Sequence, residues 1–306
     1  MSELGIAIDM MALADLGQPT KIALEIHRQL RTQFGSVPRR IPLDGIAKAI
    51  GIIGIQIYEG VSFDGTLMIG PNGGAIGIRA GMRSGRHNFT LGHEIGHFLI
   101  PTHRIRQKFI CEPVDMRRMR STNFDQRPEQ ERIEIEANEF AAALLVAAPE
   151  YREERKKLGK TCDVSHVRAL AETFDVSQEV MAKIYVNQSH EKIAIVTSHN
   201  GAVKRVITPQ QGFPYLGLKK DAPLPKNALK HSFAKTSAIN SISDLVETAT
   251  DAWLERRGNI TALYEQVFLQ EEGWAMTLLI VEERDEDEET DDRNWNRRSS
   301  RYSSFR

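Results

Sequence analysis

The feature that most restricts this chain is His93-Glu94-Ile95-Gly96-His97, because two histidines four residues apart converge on one side only if the segment is a helix. Positions i and i+4 of a helix lie about 40° apart in projection, so both imidazoles can reach a single ion. Glu94, one residue on, can approach a water on that ion from the side, take its proton and deliver it to a leaving amine. Leu91, Ile95 and Phe98 form an apolar stripe on the same helix, with the histidines roughly opposite. The expectation is a helix that packs on one side and leaves the other free for chemistry.

A hydrolytic zinc site needs a third protein ligand and one position open to water. His103 stands six residues after His97, the spacing of metzincin sites, but their turn uses glycine where this chain has Ile100. A β-branched residue suits a left-handed turn badly. The other source is Glu134-Ile135-Glu136-Ala137-Asn138, on a helix predicted to begin near Pro128 and to run to about Val146. Helical phase separates its two acids. Glu134 lies in line with Asn138, Ala141 and Leu145, beside the apolar stripe Ile133, Ala137, Phe140 and Leu144. Glu136 shares its side with Arg132, Glu139 and Ala143, where Arg132 can pair with it on a solvated face. Glu134 is therefore the preferred third ligand, with His103 second. Tyr58, His87 and His103 stand unranked as transition-state stabilisers.

Ahead of the motif, apolar spacing predicts helices over Pro19–Phe34 and Leu43–Ile50. Short β-like runs follow at Ile52–Tyr58, 65–69 and 75–79, the last two joined by the turn-rich Gly70-Pro71-Asn72-Gly73-Gly74. One strand of that hairpin could form an exposed edge that receives an extended substrate segment. Residues 104–127 read as irregular and basic. After Pro149 the pattern changes: 167–186 reads as two short helices around Phe174-Asp175-Val176-Ser177, a helix-turn-helix-like spacing. Its second helix carries one Glu and one Lys, a poor electrostatic basis for DNA contact, and packing is the favoured reading. Runs at 192–197 and Ala202–Ile207 flank Asn200-Gly201, a strong hairpin signal, and 262–269 and 274–281 read as the last strands. The acidic run 282–292 and the Arg/Ser-rich 293–306 are expected to be solvated and disordered.

These boundaries give an α+β chain in four parts: a mainly helical zincin-like domain with a small sheet over 1–149, a helix-turn-helix-like segment over 150–188, an α+β domain over 189–283 and a charged tail over 284–306. With 40 Lys+Arg against 41 Asp+Glu, there is no global basic field to attract nucleic acid or an anionic membrane. The N-terminus lacks the basic flank of a secretory signal, no apolar run is long enough to span a bilayer, and Cys111 and Cys162 read as separate free thiols. A cytoplasmic protein is the expectation.

Phe89-Thr90-Leu91-Gly92-His93-Glu94-Ile95-Gly96-His97 and Glu134-Ile135-Glu136-Ala137-Asn138-Glu139-Phe140-Ala141-Ala142-Ala143-Leu144-Leu145 together resemble the ImmA/IrrE family of bacterial metallopeptidases, in the family's order. The resemblance implies that His93, His97 and Glu134 are zinc ligands and that Glu94 is the general base; manganese could take the place of zinc at such a donor set. It implies a helix-turn-helix repressor as substrate, cut to relieve repression in mobile-element control or a stress response. Longer, IrrE-like members add a helix-turn-helix-like segment and a GAF-like sensor domain, matching the layout after Pro149. The family's Leu-Leu-x-Pro helix ending is altered here to Leu145-Val146-Ala147-Ala148-Pro149. Two other readings are a DNA-binding regulator with a vestigial metal site and a sensor that binds its repressor without cutting it.

Overall fold

A computed structural model of the chain describes residues 5–120, 123–209, 211–255 and 259–284, and the tail read as disordered lies outside them but for Arg284. The fold is mixed α+β, in two compact units: Met1–Thr161 with Ser165–Tyr185, and Cys162–Val164 with Val186–Arg306. Among the described residues no helix is long and apolar enough to cross a membrane.

The first unit opens with α1 (Met10–Ala14), α2 (Pro19–Phe34) and α3 (Leu43–Ile50). Pro19 sits in the first turn of α2, where its missing N–H costs nothing, and Gly35 ends the helix in the left-handed conformation at φ 78°. Three strands, β1 (Ile52–Tyr58), β2 (Gly65–Gly70) and β3 (Gly73–Arg79), lead into α4 (Ser84–Leu99), which carries the histidines. A short strand β4 (Lys108–Cys111) precedes α5 (Glu129–Leu145), and then come α6 (Ala148–Lys157), α7 (Val164–Phe174) and α8 (Gln178–Asn187).

The sheet order is β1-β3-β2-β4, with β1 parallel to β3 and the other pairs antiparallel. This corrects two expectations. Both strands of the β2–β3 hairpin are central, so neither offers a free edge; the edges are β1 and β4. The stretch 104–127, read as irregular, contributes β4. Its side chains alternate, with Phe109 and Cys111 buried while Lys108 and Ile110 are exposed, as a strand with one covered face requires. The covered face of the sheet includes Leu67, Ile76 and Ile78.

Across the helical layer, buried His27 of α2 bonds the Leu144 carbonyl of α5 at 2.8 Å through Nε2. Beyond it, the turn between α7 and α8 is anchored by its left-handed residue, Asp175 at φ 51°. Asp175 accepts hydrogen bonds from Ser84 Oγ at 2.7 Å and Asn88 Nδ2 at 3.0 Å, tying the turn to the start of α4. A Cβ on Gly85 would fall 2.3 Å from the Val176 carbonyl carbon, so only glycine admits this approach. Along α8 only Asn187 is exposed, and Val180, Met181, Ala182, Tyr185 and Val186 are buried. On α6, Glu153 and Glu154 pair with Arg39, and Glu154 also bonds Lys157.

The second unit is built on a fully antiparallel sheet, order β6-β5-β9-β8-β7: β5 (Lys192–His199), β6 (Ala202–Ile207), β7 (Val246–Thr248), β8 (Ile260–Leu269) and β9 (Trp274–Glu283). Asn200 and Gly201 both take positive φ, 49° and 80°, as the hairpin they close demands. The acidic run was expected to be disordered from residue 282, yet Glu282 and Glu283 finish β9, because pairing with β8 extends that far. Helices α9 (Leu229–Thr236) and α10 (Thr250–Trp253) complete the unit. Glu265 is fully buried on β8, accepting from the Leu229 backbone N–H and the Trp253 indole N–H, each at 2.9 Å.

Candidate metal centre

Helices α4 and α5 pack directly, and two glycines of α4 set their approach. A Cβ on Gly92 would make ordinary contact with Ala141 at 3.5 Å, whereas one on Gly96 would sit 2.9 Å from Phe140 Cδ1 and 3.4 Å from Ala137 Cα. The glycine inside the His-Glu pair therefore has a packing reason. Leu91 and Ile95 are buried as the stripe predicts, but the opposite side is buried too: His93, Glu94 and His97 are 0% exposed. The expected free face is instead covered by α5 and by β4, whose Phe109 ring stacks on His97 at a centroid distance of 4.2 Å.

Within this enclosure His93 Nε2 lies 2.9 Å from His97 Nε2 and 3.2 Å from Glu134 Oε2, and His97 Nε2 lies 3.5 Å from that same oxygen. Donors placed tetrahedrally around zinc at their usual bond lengths stand about 3.3 Å apart, so these three atoms have the spacing of one metal's ligands. The donor chemistry, two imidazoles and a carboxylate, also suits zinc. The structure thus brings His93, His97 and Glu134 together. His103 and Glu136 lie behind them.

Each histidine is oriented from its far side. His93 Nδ1 is 2.9 Å from Asn138 Oδ1, and Asn138 is itself held by its amide to the carbonyls of Asp115, at 2.7 Å, and Arg118, at 3.1 Å. His97 Nδ1 is 3.1 Å from His103 Nδ1, and His103 Nε2 is 3.0 Å from Glu136 Oε2. One tautomer assignment satisfies the whole chain: His103 Nε2–H donates to Glu136, His97 Nδ1–H donates to His103, and His93 Nδ1–H donates to Asn138. Both Nε2 atoms are then left with lone pairs facing the cluster. His103 is a support for His97, one place removed from its expected role as the second-choice ligand. Glu136 takes its hydrogen bond from His103 rather than from Arg132. Tyr58 is partly exposed at the end of β1 with its hydroxyl on Gln56, and His87 is half-buried in the first turn of α4.

Electrostatics divide the carboxylates. Burial would raise the Glu134 pKa, but the adjoining His93 and His97 rings outweigh it and hold the group well below the usual range. Burial opposes protonation of His93, yet the Glu134 hydrogen bond and charge raise its pKa; burial and the neighbouring His93 push His97 down to about 3. Burial lifts Glu94 to about 7, with the charge of His93 pulling the other way. Among the described residues neither Glu94 oxygen has a hydrogen-bond partner, and the Cys111 thiol nearby falls short of bonding geometry although it too favours the carboxylate. A buried, unpartnered carboxylate near neutrality beside a cluster of metal-type donors is the arrangement a proton carrier needs. Gly65 of β2 makes room for it, since a Cβ there would fall 2.3 Å from Glu94 Oε1.

Sequence reasoning missed one member of the cluster. Cys111, read as an ordinary free thiol, is buried with Sγ 3.5 Å from His97 Nε2, and its sulfur lies within 4.8 Å of the His93, His97 and Glu134 donor atoms. The available signal was weak: a cysteine at an inward position of a four-residue strand.

Residues 54–184 match the family model for peptidase M78, described as the IrrE N-terminal-like domain. No curated protein matches the chain. Among solved structures, a Mycobacterium tuberculosis transcriptional regulator aligns at 12% identity over 90% of this chain and 77% of its own length, with a TM-score of 0.45.

Proposed function

We propose that the chain, whose residues 54–184 match the M78 peptidase model described as the IrrE N-terminal-like domain, is a zinc-dependent endopeptidase that controls gene expression by cleaving a helix-turn-helix transcriptional repressor. The observation that carries this reading is the convergence of His93, His97 and Glu134 donor atoms beside the unpartnered Glu94 carboxylate. In this reading those three residues hold the metal, zinc or in its place manganese. The ion would supply Lewis acidity, polarising a peptide carbonyl and acidifying water.

The chain's own residues do the rest. Asn138 and the Glu136–His103 pair fix the imidazole tautomers, so that Nε2 of each histidine presents a lone pair without reorganisation. Glu94, whose pKa of about 7 lets it hold or release a proton near neutrality, takes a proton from water at a carboxylate oxygen and returns it to the departing amine. Residues 1–149 act as the peptidase domain, 150–188 as its helical extension and 189–283 as a GAF-like sensor. The burial along α8 favours protein over DNA as partner.

Incubating the purified chain with candidate helix-turn-helix repressors, with and without Glu94→Gln, tests the reading. Cleavage by the wild type that the substitution abolishes supports it; cleavage that survives Glu94→Gln refutes the mechanism. An intact repressor held in a stable complex refutes hydrolysis and favours a binding sensor.

A further inference from the structure

Asp64, the residue before β2, is a charged side chain with no exposed surface. A carboxylate so placed needs a counter-charge, and guanidinium groups from two different elements supply it. Arg79, the last residue of β3, donates to Oδ1 from Nε at 3.1 Å and from Nη2 at 2.7 Å. Arg86, in the first turn of α4, donates to Oδ2 from Nη2. The Asp64 backbone is tied as well, its N–H donating to the Cys111 carbonyl at 2.9 Å and its carbonyl accepting from the Arg79 N–H at 3.0 Å. The start of β2 and the ends of β3 and β4 meet at this residue, and Arg86 fastens α4 to their junction.

The next residue is Gly65, against which Glu94 rests: a Cβ there would fall 2.3 Å from Glu94 Oε1 and 2.7 Å from Thr90 Cγ2. Arg86, Thr90 and Glu94 are spaced four apart and so follow one stripe of α4. That stripe runs along Asp64-Gly65, with Arg86 on the first residue and Thr90 and Glu94 on the second. The two histidines and Glu134 are set elsewhere, where α4 meets α5 through Gly92 and Gly96. We propose, building on the peptidase reading above, that Asp64 is a positioning residue for Glu94. By clamping Arg86 to the sheet it fixes how far α4 stands along β2, and with that where the Glu94 carboxylate sits beside the metal centre. The clamp acts on the proton carrier and leaves the metal-holding residues alone.

The test uses the full chain with Co2+ in place of zinc, comparing wild type, Asp64→Asn, Arg86→Met, Arg86→Lys and Arg79→Met. Arg86 is 41% exposed, so its replacement opens no buried void, and the Arg86 variants decide the matter should Asp64→Asn fail to fold. A displacement of about 1 Å can cost on the order of a hundredfold in rate. Asp64→Asn should therefore lower kcat for repressor cleavage about a hundredfold and Arg86→Met at least about tenfold, with KM unchanged. Arg86 holds Asp64 through one nitrogen, so Arg86→Lys should restore most of the rate. Arg79 joins Asp64 from within the sheet, and Arg79→Met should stay within about threefold of wild type. All forms should bind one equivalent of cobalt with the same visible ligand-field bands. Unchanged kcat in Arg86→Met, or no recovery in Arg86→Lys, overturns the clamp. Lost cobalt or altered bands in the Asp64 and Arg86 variants would place its effect on the metal-holding residues and overturn it too. A wild type that binds cobalt but cleaves no repressor overturns the peptidase reading, and this proposal with it.

Discussion

Glu265 gives the second unit a pH dependence that can be worked out from its surroundings. The side chain is fully buried and accepts two hydrogen bonds, from Trp253 and Leu229, and among the described residues no cation pairs with it. Burial lifts its pKa from 4.5 to about 7. Between those values the folded state holds a proton that the unfolded chain has released, so stability falls as pH rises through this window. The full contribution is present below about pH 4.5 and gone above about pH 7. A gap of that width corresponds to about 3 kcal/mol, or on the order of 10 °C in the melting of a unit this size. Glu265→Gln fixes the group neutral and keeps one oxygen, so it should lose about 1 kcal/mol for the donor left without an acceptor at low pH. Above pH 7 it should be the more stable by about 2 kcal/mol. Urea unfolding of wild type and variant, followed by circular dichroism in steps from about pH 4 to pH 8, reads the difference directly. A difference that stays constant across that range refutes the argument, because it would mean that Glu265 titrates alike in both states.

The metal centre yields three further expectations. Glu134→Ala should abolish zinc binding, while His103→Ala, which removes only the support behind His97, should retain the metal with affinity lowered about 10- to 100-fold; equal loss in the two variants would make His103 a ligand after all. Gly65→Ala places a Cβ 2.3 Å from Glu94 Oε1 and 2.7 Å from Thr90 Cγ2. The carboxylate must then move by about 1 Å, which should cost on the order of a hundredfold in repressor cleavage with zinc content unchanged; an unaltered rate would show that Glu94 need not sit where it does. Gly96→Ala pushes against Phe140 at 2.9 Å and should destabilise the first unit by about 1–3 kcal/mol in thermal or urea unfolding. No loss of stability would mean that the α4–α5 spacing is softer than the contact implies.

Much of the site is legible in the sequence because two helices carry it and helical phase is a strong constraint. The period that turns Glu134 inward turns Asn138 inward as well, and the structure uses both, one beside the histidines and one behind them. Relations between residues on elements without a period were not legible. His103 looked like a second-choice ligand and Glu136 like a solvated partner of Arg132, and nothing in their separation shows that they bond each other and then His97. Cys111 was hidden for the same reason, since Lys108-Phe109-Ile110-Cys111 becomes a strand only through pairing with β2.

That dependence also explains why the histidine face is covered. Two helices can bring three donors together, but donors left open to water on one side would not give Glu94 a pKa near neutrality. The third wall supplies the desolvation: Gly65 lets β2 come close to the carboxylate, and Phe109 and Cys111 shut the side that the helices leave open. A wall that dry also keeps peptide and water out. Residue type along β4 therefore bears on reactivity as much as on packing. A serine at 111 would keep the wall, and a bulkier apolar residue there would press on Glu94 and His97 together.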